Sequence, residues 1–337
     1  VSKSPLTVEF GESSKTKEAL STYDDAHYSL SVGIIAGAAN QGSSTTIMQI
    51  SNVDLKLNQS ISISGTSFSD YYVGTYFGRV TKGADNSGDF VQNIRFSVNG
   101  LQQYASNGTD FKALETMLTN IGNANVYVGG YFGSVEGLDG FYAYNDKTIN
   151  SNIKTTITDT STNTSSLGDV YNGLIAGKYN AGSITSVDFK QSAVVNEFEA
   201  NSTITNFYGG AVVGSVEGGA LSLSNFASVN YSVLKTSSNK SNFDNVRNNF
   251  VSSDINEDDH LNVENAYVGV IVGANASPLT VYGSANSMLN LNADRGETHY
   301  AVRLKATGVA YYGGITGYAG GNVTTKYGFS SKGYLSV

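Results

Sequence analysis

Apolar residues recur along this chain in a fixed frame, two glycines four residues apart with apolar residues between and around them. The stretch YVGGYFG, Tyr127 to Gly133, shows the frame most fully. Close variants place the pairs Gly33/Gly37, Gly74/Gly78, Gly129/Gly133, Gly173/Gly177, Gly210/Gly214, Gly269/Gly273 and Gly313/Gly317. The seven copies lie 41, 55, 44, 37, 59 and 44 residues apart, which marks a repeat architecture. Side chains alternate sides along a strand, so read as a strand each copy puts both glycines on one face. Between them stands Ile35, Tyr76, Tyr131, Ile175, Val212, Ile271 or Ile315, always large and apolar. The opposite face holds mostly Val, Leu, Ala, Thr and Phe. A strand apolar on both faces suits a parallel sheet covered on both sides. Glycine weakens a strand interior, so the fixed pairs predict close approach of another layer.

After the second glycine the pattern predicts a Gly/Asn turn and then a period-two strand. In the fifth copy Leu221, Leu223, Asn225, Ala227 and Val229 fall on one face, and Ser222, Ser224, Phe226, Ser228 and Asn230 on the other. Strand, turn, strand and variable return make one unit. The predicted fold is all-β, a parallel β-solenoid over residues 29–337 with one or two coils per repeat. Short helical inserts are expected near 101–123 and 236–264, in the two longest intervals. TDFKALETMLTNIG spaces Phe111, Leu114, Leu118 and Ile121 at helical intervals and ends at Gly122, which predicts an amphipathic helix. A second short helix is predicted around Phe243 to Phe250. Residues 1–28 hold a strand candidate, Leu6 to Phe10. That segment reads either as a cap on its own solenoid or as an arm whose strand completes an edge of the next subunit.

GGAVVGSVEGGALSLSNFASVNYSV and LIAGKYNAGSITSVDFKQSAVV resemble the GLUG-motif repeats of bacterial secreted and surface proteins. The resemblance spans roughly residues 29 to 337, in a short and degenerate motif whose usual period is shorter than the spacing here. It implies a β-solenoid of an adhesin or surface-layer type.

Composition narrows the picture. Gly is abundant at 38 residues, charged residues make up only 14%, Pro is 2 and Cys is 0, as in turn-rich all-β structure without disulfides or Cys-ligated metals. A net charge of −8 with scattered Lys and Arg argues against a nucleic-acid partner. No apolar run approaches the roughly 20 residues of a spanning helix, so no membrane span is expected. The start at Val1 without an apolar signal segment fits a processed mature form.

Candidate chemistry is sparse. The acidic stretch with Asp254, Asn256, Asp258, Asp259, His260, Asn262 and Glu264 sets oxygen ligands at alternating positions, as at the start of a calcium loop. Asp259 takes the place of that loop's glycine and Asn265 that of its closing glutamate, so a solvated acidic loop competes with a calcium site. GLIAGK, Gly173 to Lys178, mimics a phosphate loop but is one residue short and aligns with six copies lacking the lysine. His27, His260 and His299 lie near Asp25, Asp258 and Glu297, with no nucleophile elbow beside them. Glu136 and Glu217 share one slot in two repeats, which reads as corner chemistry against a glycosidase pair. Tyr76, Tyr131, Tyr208 and Tyr312 read either as stacked core ladders or as platforms for sugars. The expected function is structural and not enzymatic: an extracellular subunit that assembles head-to-tail with copies of itself into a filament, surface layer or adhesive stalk. A carbohydrate-binding or carbohydrate-active solenoid, with surface glycans as partners, is the alternative.

Overall fold

The computed structural model describes residues 6–9, 28–33, 35–41, 49–53, 60–65, 68–82, 94–98, 114–138, 141–144, 149–160, 166–187, 191–224, 226–235, 260–282, 288–290, 302, 304–326 and 330–331. Every strand pairing among them is parallel, and the chain winds as a solenoid with one coil per repeat. The first coil holds β1 (Leu6–Glu9), β2 (Ser29–Val32), β3 (Ala36–Gln41) and β4 (Gln49–Val53). The second holds β5 (Ser60–Ser64), β6 (Asp70–Gly74), β7 (Phe77–Lys82) and β8 (Ile94–Val98). The third holds β9 (Leu114–Thr119), β10 (Asn125–Gly129), β11 (Phe132–Leu138) and β12 (Phe141–Tyr144). Then come β13 (Ile149–Thr158), β14 (Leu167–Gly173) and β15 (Ala176–Val187), followed by β16 (Gln191–Ala200), β17 (Ile204–Gly210) and β18 (Val213–Ser224). The sixth coil runs β19 (Phe226–Lys235), β20 (Leu261–Gly269), β21 (Val272–Asn275) and β22 (Leu279–Tyr282). The last strands are β23 (Met288–Asn290), β24 (Leu304–Ala306), β25 (Ala310–Gly313), β26 (Thr316–Ala319), β27 (Val323–Lys326) and β28 (Ser330–Ser331).

Stacking the coils makes three long sheets. The first runs β1-β5-β9-β13-β16-β19-β23-β28, the second β2-β6-β10-β14-β17-β20-β24, and the third β3-β7-β11-β15-β18-β21-β26. A short fourth sheet joins β4, β8 and β12. Seven strands about 4.8 Å apart give a rod of roughly 35 Å. One core fills it, with Ile61, Leu118, Ile157, Phe198 and Tyr231 from the first sheet, Val126, Val170, Phe207 and Val263 from the second, and Phe132, Val135, Val216 and Leu223 from the third. The alternation read from the sequence is realised at Leu221 and Leu223, which are buried and stack on Leu279 and Val281.

Three expectations need correction. The segment 114–119 is a strand, not a helix: β9 pairs with β5 on one side and β13 on the other. Thr116 and Leu118 point inward with Met117 between them, so the buried positions follow period two. The insert near 236–264 likewise ends earlier, because Leu261 already begins β20. The predicted helix at 243–250 lies outside the described residues, as do residues 101–113. Next, β1 pairs in parallel with β5 of its own chain, Leu6 beside Ile61 and Val8 beside Ile63. Within this chain the N-terminal strand forms the first rung of the first sheet.

The third correction concerns the repeat glycines, which flank a corner and do not share one face of a single strand. The first glycine of each pair ends a strand of the second sheet at Gly74, Gly129, Gly173, Gly210, Gly269 and Gly313, and Gly33 directly follows β2. Two residues then bend in each copy from Gly74 onward. The second glycine, Gly37, Gly78, Gly133, Gly177, Gly214, Gly273 or Gly317, is the second residue of the next strand, which belongs to the third sheet. The reason is that the core must be closed on three sides, so each coil has to turn where its backbone is least encumbered. The copies stack in register, Gly129 between Gly74 and Gly173, and Gly269 between Gly210 and Gly313. The predicted turn after the second glycine is a register shift inside continuous strands in β11, β15 and β18. In the last two coils it is a break, between β21 and β22 and between β26 and β27.

Candidate functional site

The glycine corner explains the spacing of the motif. A Cβ on Gly133 would lie 2.5 Å from the Gly78 carbonyl oxygen and 2.7 Å from that of Tyr127, both backbone. One on Gly129 would collide with the carbonyl of Phe132, three residues on. The same collisions recur toward both ends of the rod. A Cβ on Gly37 would strike the Ser31 carbonyl, and one on Gly273 would lie 2.6 Å from the Gly209 nitrogen and 2.8 Å from the Tyr267 oxygen. At Gly317 it would lie 2.7 Å from the Gly273 carbonyl oxygen. The layer that closes on the glycines is therefore the other arm of the same corner together with the neighbouring coil. The residue between the glycines points inward: Tyr76, Tyr131, Ile175, Val212 and Ile271 are all buried in the core. The corner backbone hydrogen-bonds from coil to coil, Tyr76 N–H to the Tyr131 carbonyl at 3.0 Å, Tyr131 to Leu174 at 2.9 Å, Ile175 to Val212 at 2.7 Å and Val212 to Ile271 at 3.0 Å. GLIAGK is one such corner: Leu174 and Ile175 are buried and no phosphate cradle forms.

Two residues before the first glycine, on its face of the strand, the second sheet carries a column of tyrosines. Tyr72, Tyr127, Tyr171, Tyr208, Tyr267 and Tyr311 stack with ring centroids 4.5, 4.8, 4.6, 4.7 and 5.6 Å apart. The first four steps are within 11° of parallel, and the last opens to 22°. Tyr72, Tyr127, Tyr171 and Tyr208 form an apolar cluster separate from the main core. Its cover carries charge. The Arg79 guanidinium lies 4.8 Å from the Tyr72 ring, and the Lys178 ammonium 5.5 Å from the Tyr171 ring and 2.9 Å from the Glu217 carboxylate. Aligning the copies on the first glycine reveals this column in the sequence, with tyrosine at that position in six copies and Ser31 in the first.

Four residues before the same glycine runs a second column, Asp70, Asn125, Asp169, Asn206 and Asn265. Asn125 Nδ2 donates to Asp70 Oδ1 at 3.0 Å, Asn206 Nδ2 to Asp169 Oδ1 at 2.6 Å and Asn265 Nδ2 to Asn206 Oδ1 at 2.9 Å. The Asp169 and Val309 amides donate to the Asn125 and Asn265 side-chain oxygens. Such a ladder joins rung to rung and holds the coils in register.

Burial raises several phenols. Tyr208 is pushed up to about 12 by desolvation with help from the Asp169 carboxylate. Desolvation also lifts Tyr71, whose hydroxyl donates to the Gly65 carbonyl at 2.6 Å, to about 12. Tyr171 is raised further by burial and by Asp169, and Tyr231 by burial alone. A phenol raised above its ordinary value of 10.0 stabilises the fold below pH 10, and that contribution is lost as pH rises through about 12. An alkaline titration should therefore show one fraction of the 22 tyrosines ionising normally and another only as the sheet signal collapses near pH 12. Full ionisation with the circular dichroism of the sheet intact would contradict the burial.

The other candidates fall in separate places. Tyr76 and Tyr131 stack in the core at 5.4 Å, Tyr208 belongs to the column, and Tyr312 is half-buried against the core, so these four form no common platform. Glu217 pairs with Lys178, and Glu136 sits inside β11 beside Asn180. Glu197 and Glu199, which the sequence did not single out, are buried two apart on β16, with Glu199 held by Lys154 at 2.9 Å. A shallow hollow lined by Gly122, Asn123, Ser166, Leu167, Gly168 and Thr205 has no titratable side chain in its wall. Asp254, Asn256, Asp258, Asp259, His27 and His299 lie outside the described residues, while Asn262 and Glu264 are exposed on β20. Among the described residues no three His, Asp or Glu side chains gather as a metal group, and no helix is long and apolar enough to cross a membrane. Comparison with protein-family models, curated proteins and solved structures found no match to this chain.

Proposed function

We propose that this protein is a structural, extracellular subunit that stacks end to end on copies of itself in a surface filament, layer or adhesive stalk. The observation that carries the reading is the polarity of the corners. Corner N–H groups of each coil donate to carbonyls of the following coil, from Ile35 to Tyr76, Tyr131 to Leu174, Val212 to Ile271 and Ile271 to Ile315. Among the described residues this leaves carbonyl acceptors at Ile35 at one end of the coils and N–H donors at Gly314 and Ile315 at the other. Both ends also expose apolar side chains, Ile35 at one and Val309, Tyr311 and Tyr318 at the other. A strand edge of this kind templates further pairing, and complementary ends that do not close on themselves build fibres. The surface location rests on the resemblance to GLUG repeats alone, which no family model matches. The exposed pair Tyr311 and Tyr318 favours a second reading, in which the last coil stacks on surface glycans.

The test uses both ends. Ile35→Glu and Tyr318→Glu should each abolish rods in electron micrographs, and an equimolar mixture of the two variants should stop at dimers. Unmutated protein that stays monomeric at high concentration overturns assembly, and binding of Tyr311 and Tyr318 to a glycan array would move the assignment to the second reading.

A further inference from the structure

We propose that the open end of the tyrosine column is a site of oxidative cross-linking, where Tyr267 and Tyr311 join as dityrosine and rivet the last two coils. Three observations carry it, all made on the unassembled chain. Tyr267 and Tyr311 are in register on neighbouring parallel strands, and their rings stack at 5.6 Å and 22°. Strand spacing of about 4.8 Å places the two rings on adjacent rungs, so bonding between the carbons next to their hydroxyls requires the Tyr311 ring to turn out of the stack toward Tyr267. Tyr311 is 40% exposed, so a dissolved oxidant reaches it, whereas Tyr72, Tyr127 and Tyr171 are buried. The third observation is room to twist. An inner tyrosine is clamped between rings on both sides at 4.5 to 4.8 Å, and a new carbon–carbon bond would force its ring into the next rung. Among the described residues Tyr311 has a ladder neighbour on one side only, and its ring is already turned 22° out of parallel with that of Tyr267.

The chemistry balances with a peroxide-class oxidant. Each phenol loses one electron and its hydroxyl proton, giving two phenoxyl radicals on facing rings. These combine at the carbons adjacent to the hydroxyls. Each bonded carbon then releases its hydrogen as a proton while the oxygens are reprotonated, so the pair loses two electrons and two protons overall. Persulfate takes up the two electrons and becomes two sulfates. The Tyr267 hole is supplied by transfer through the stack from exposed Tyr311 or by direct oxidation.

Dilute intact protein is treated with persulfate and a light-activated ruthenium complex, digested and analysed by mass spectrometry. The expected product is one cross-linked peptide pair containing Tyr267 and Tyr311, two hydrogens lighter than its parts, with blue dityrosine fluorescence. Tyr311→Phe and Tyr267→Phe should each remove that pair, and Tyr318→Phe should leave it, although Tyr318 lies only 5.3 Å from Tyr311. Coupling of Tyr311 to Tyr318 instead, or cross-links that form only between chains, overturns the proposal. So does the absence of any Tyr267–Tyr311 product in folded protein whose exposed tyrosines are consumed.

Discussion

Gly214→Val is expected to unfold the central coils or lower their stability by more than the roughly 1–3 kcal/mol usual for overpacking. A Cβ there would meet the Gly177 carbonyl oxygen, the Asn172 nitrogen at 2.7 Å and the Tyr208 oxygen at 2.9 Å. All three are backbone atoms inside hydrogen-bonded strands, so none can swing aside as a side chain would. Alanine at this position should already cost most of that amount, because the first carbon makes the collision. Gly314 supplies the control. It sits in the corner of the last coil, nothing lies within 4 Å of the point where a Cβ would project, and Gly314→Ala should leave the melting curve nearly unchanged. Thermal melts of the two alanine variants compare them directly. Equal melting temperatures for Gly214→Ala and Gly314→Ala would mean that the corner is looser than these contacts imply.

Phe207→Ala should cost about 3–5 kcal/mol, the range for deleting a buried aromatic ring. Phe207 is fully buried, and its ring centroid lies 4.9 Å from that of Phe198 across the core. Its ring edge also lies 2.5 Å from where a Cβ on Gly209 would be, and the Tyr231 hydroxyl takes the rest of that space while donating to Asn172 at 3.2 Å. In register with Gly209 the neighbouring coils hold Asn172 and Val268, so this coil replaces a local side chain with groups from elsewhere. Removing the ring leaves a hole that no neighbour can fill, because the parallel ladders hold the sheets in place. Urea unfolding should show the loss, and a cost below about 1 kcal/mol would mean that the core collapses around the site. Since each coil contacts mainly its neighbours, the variant should also break the transition into two steps.

The repeat itself was legible in the sequence. Seven glycine pairs in one frame define the coils, and the even spacing of Leu221 and Leu223 marks a buried face whichever sheet it joins. The tyrosine column was legible too once the copies are aligned, since a position repeated on parallel strands must stack on itself. What the motif does was not. Two glycines around one large residue describe a flat strand and a sharp corner equally well, because glycine permits both; the assignment of the two glycines to different sheets and the collisions awaiting a Cβ at Gly133 and Gly214 distinguish them. Leu114 and Leu118 posed the same ambiguity, for residues four apart share a face in a helix and in a strand. Hydrogen bonds to β5 and β13, distant in the chain, decided for the strand. Local pattern thus determined which residues are buried and how often the unit recurs. Where the chain bends and which sheet each half of the motif enters were decided by contacts between coils, which no single stretch of sequence contains.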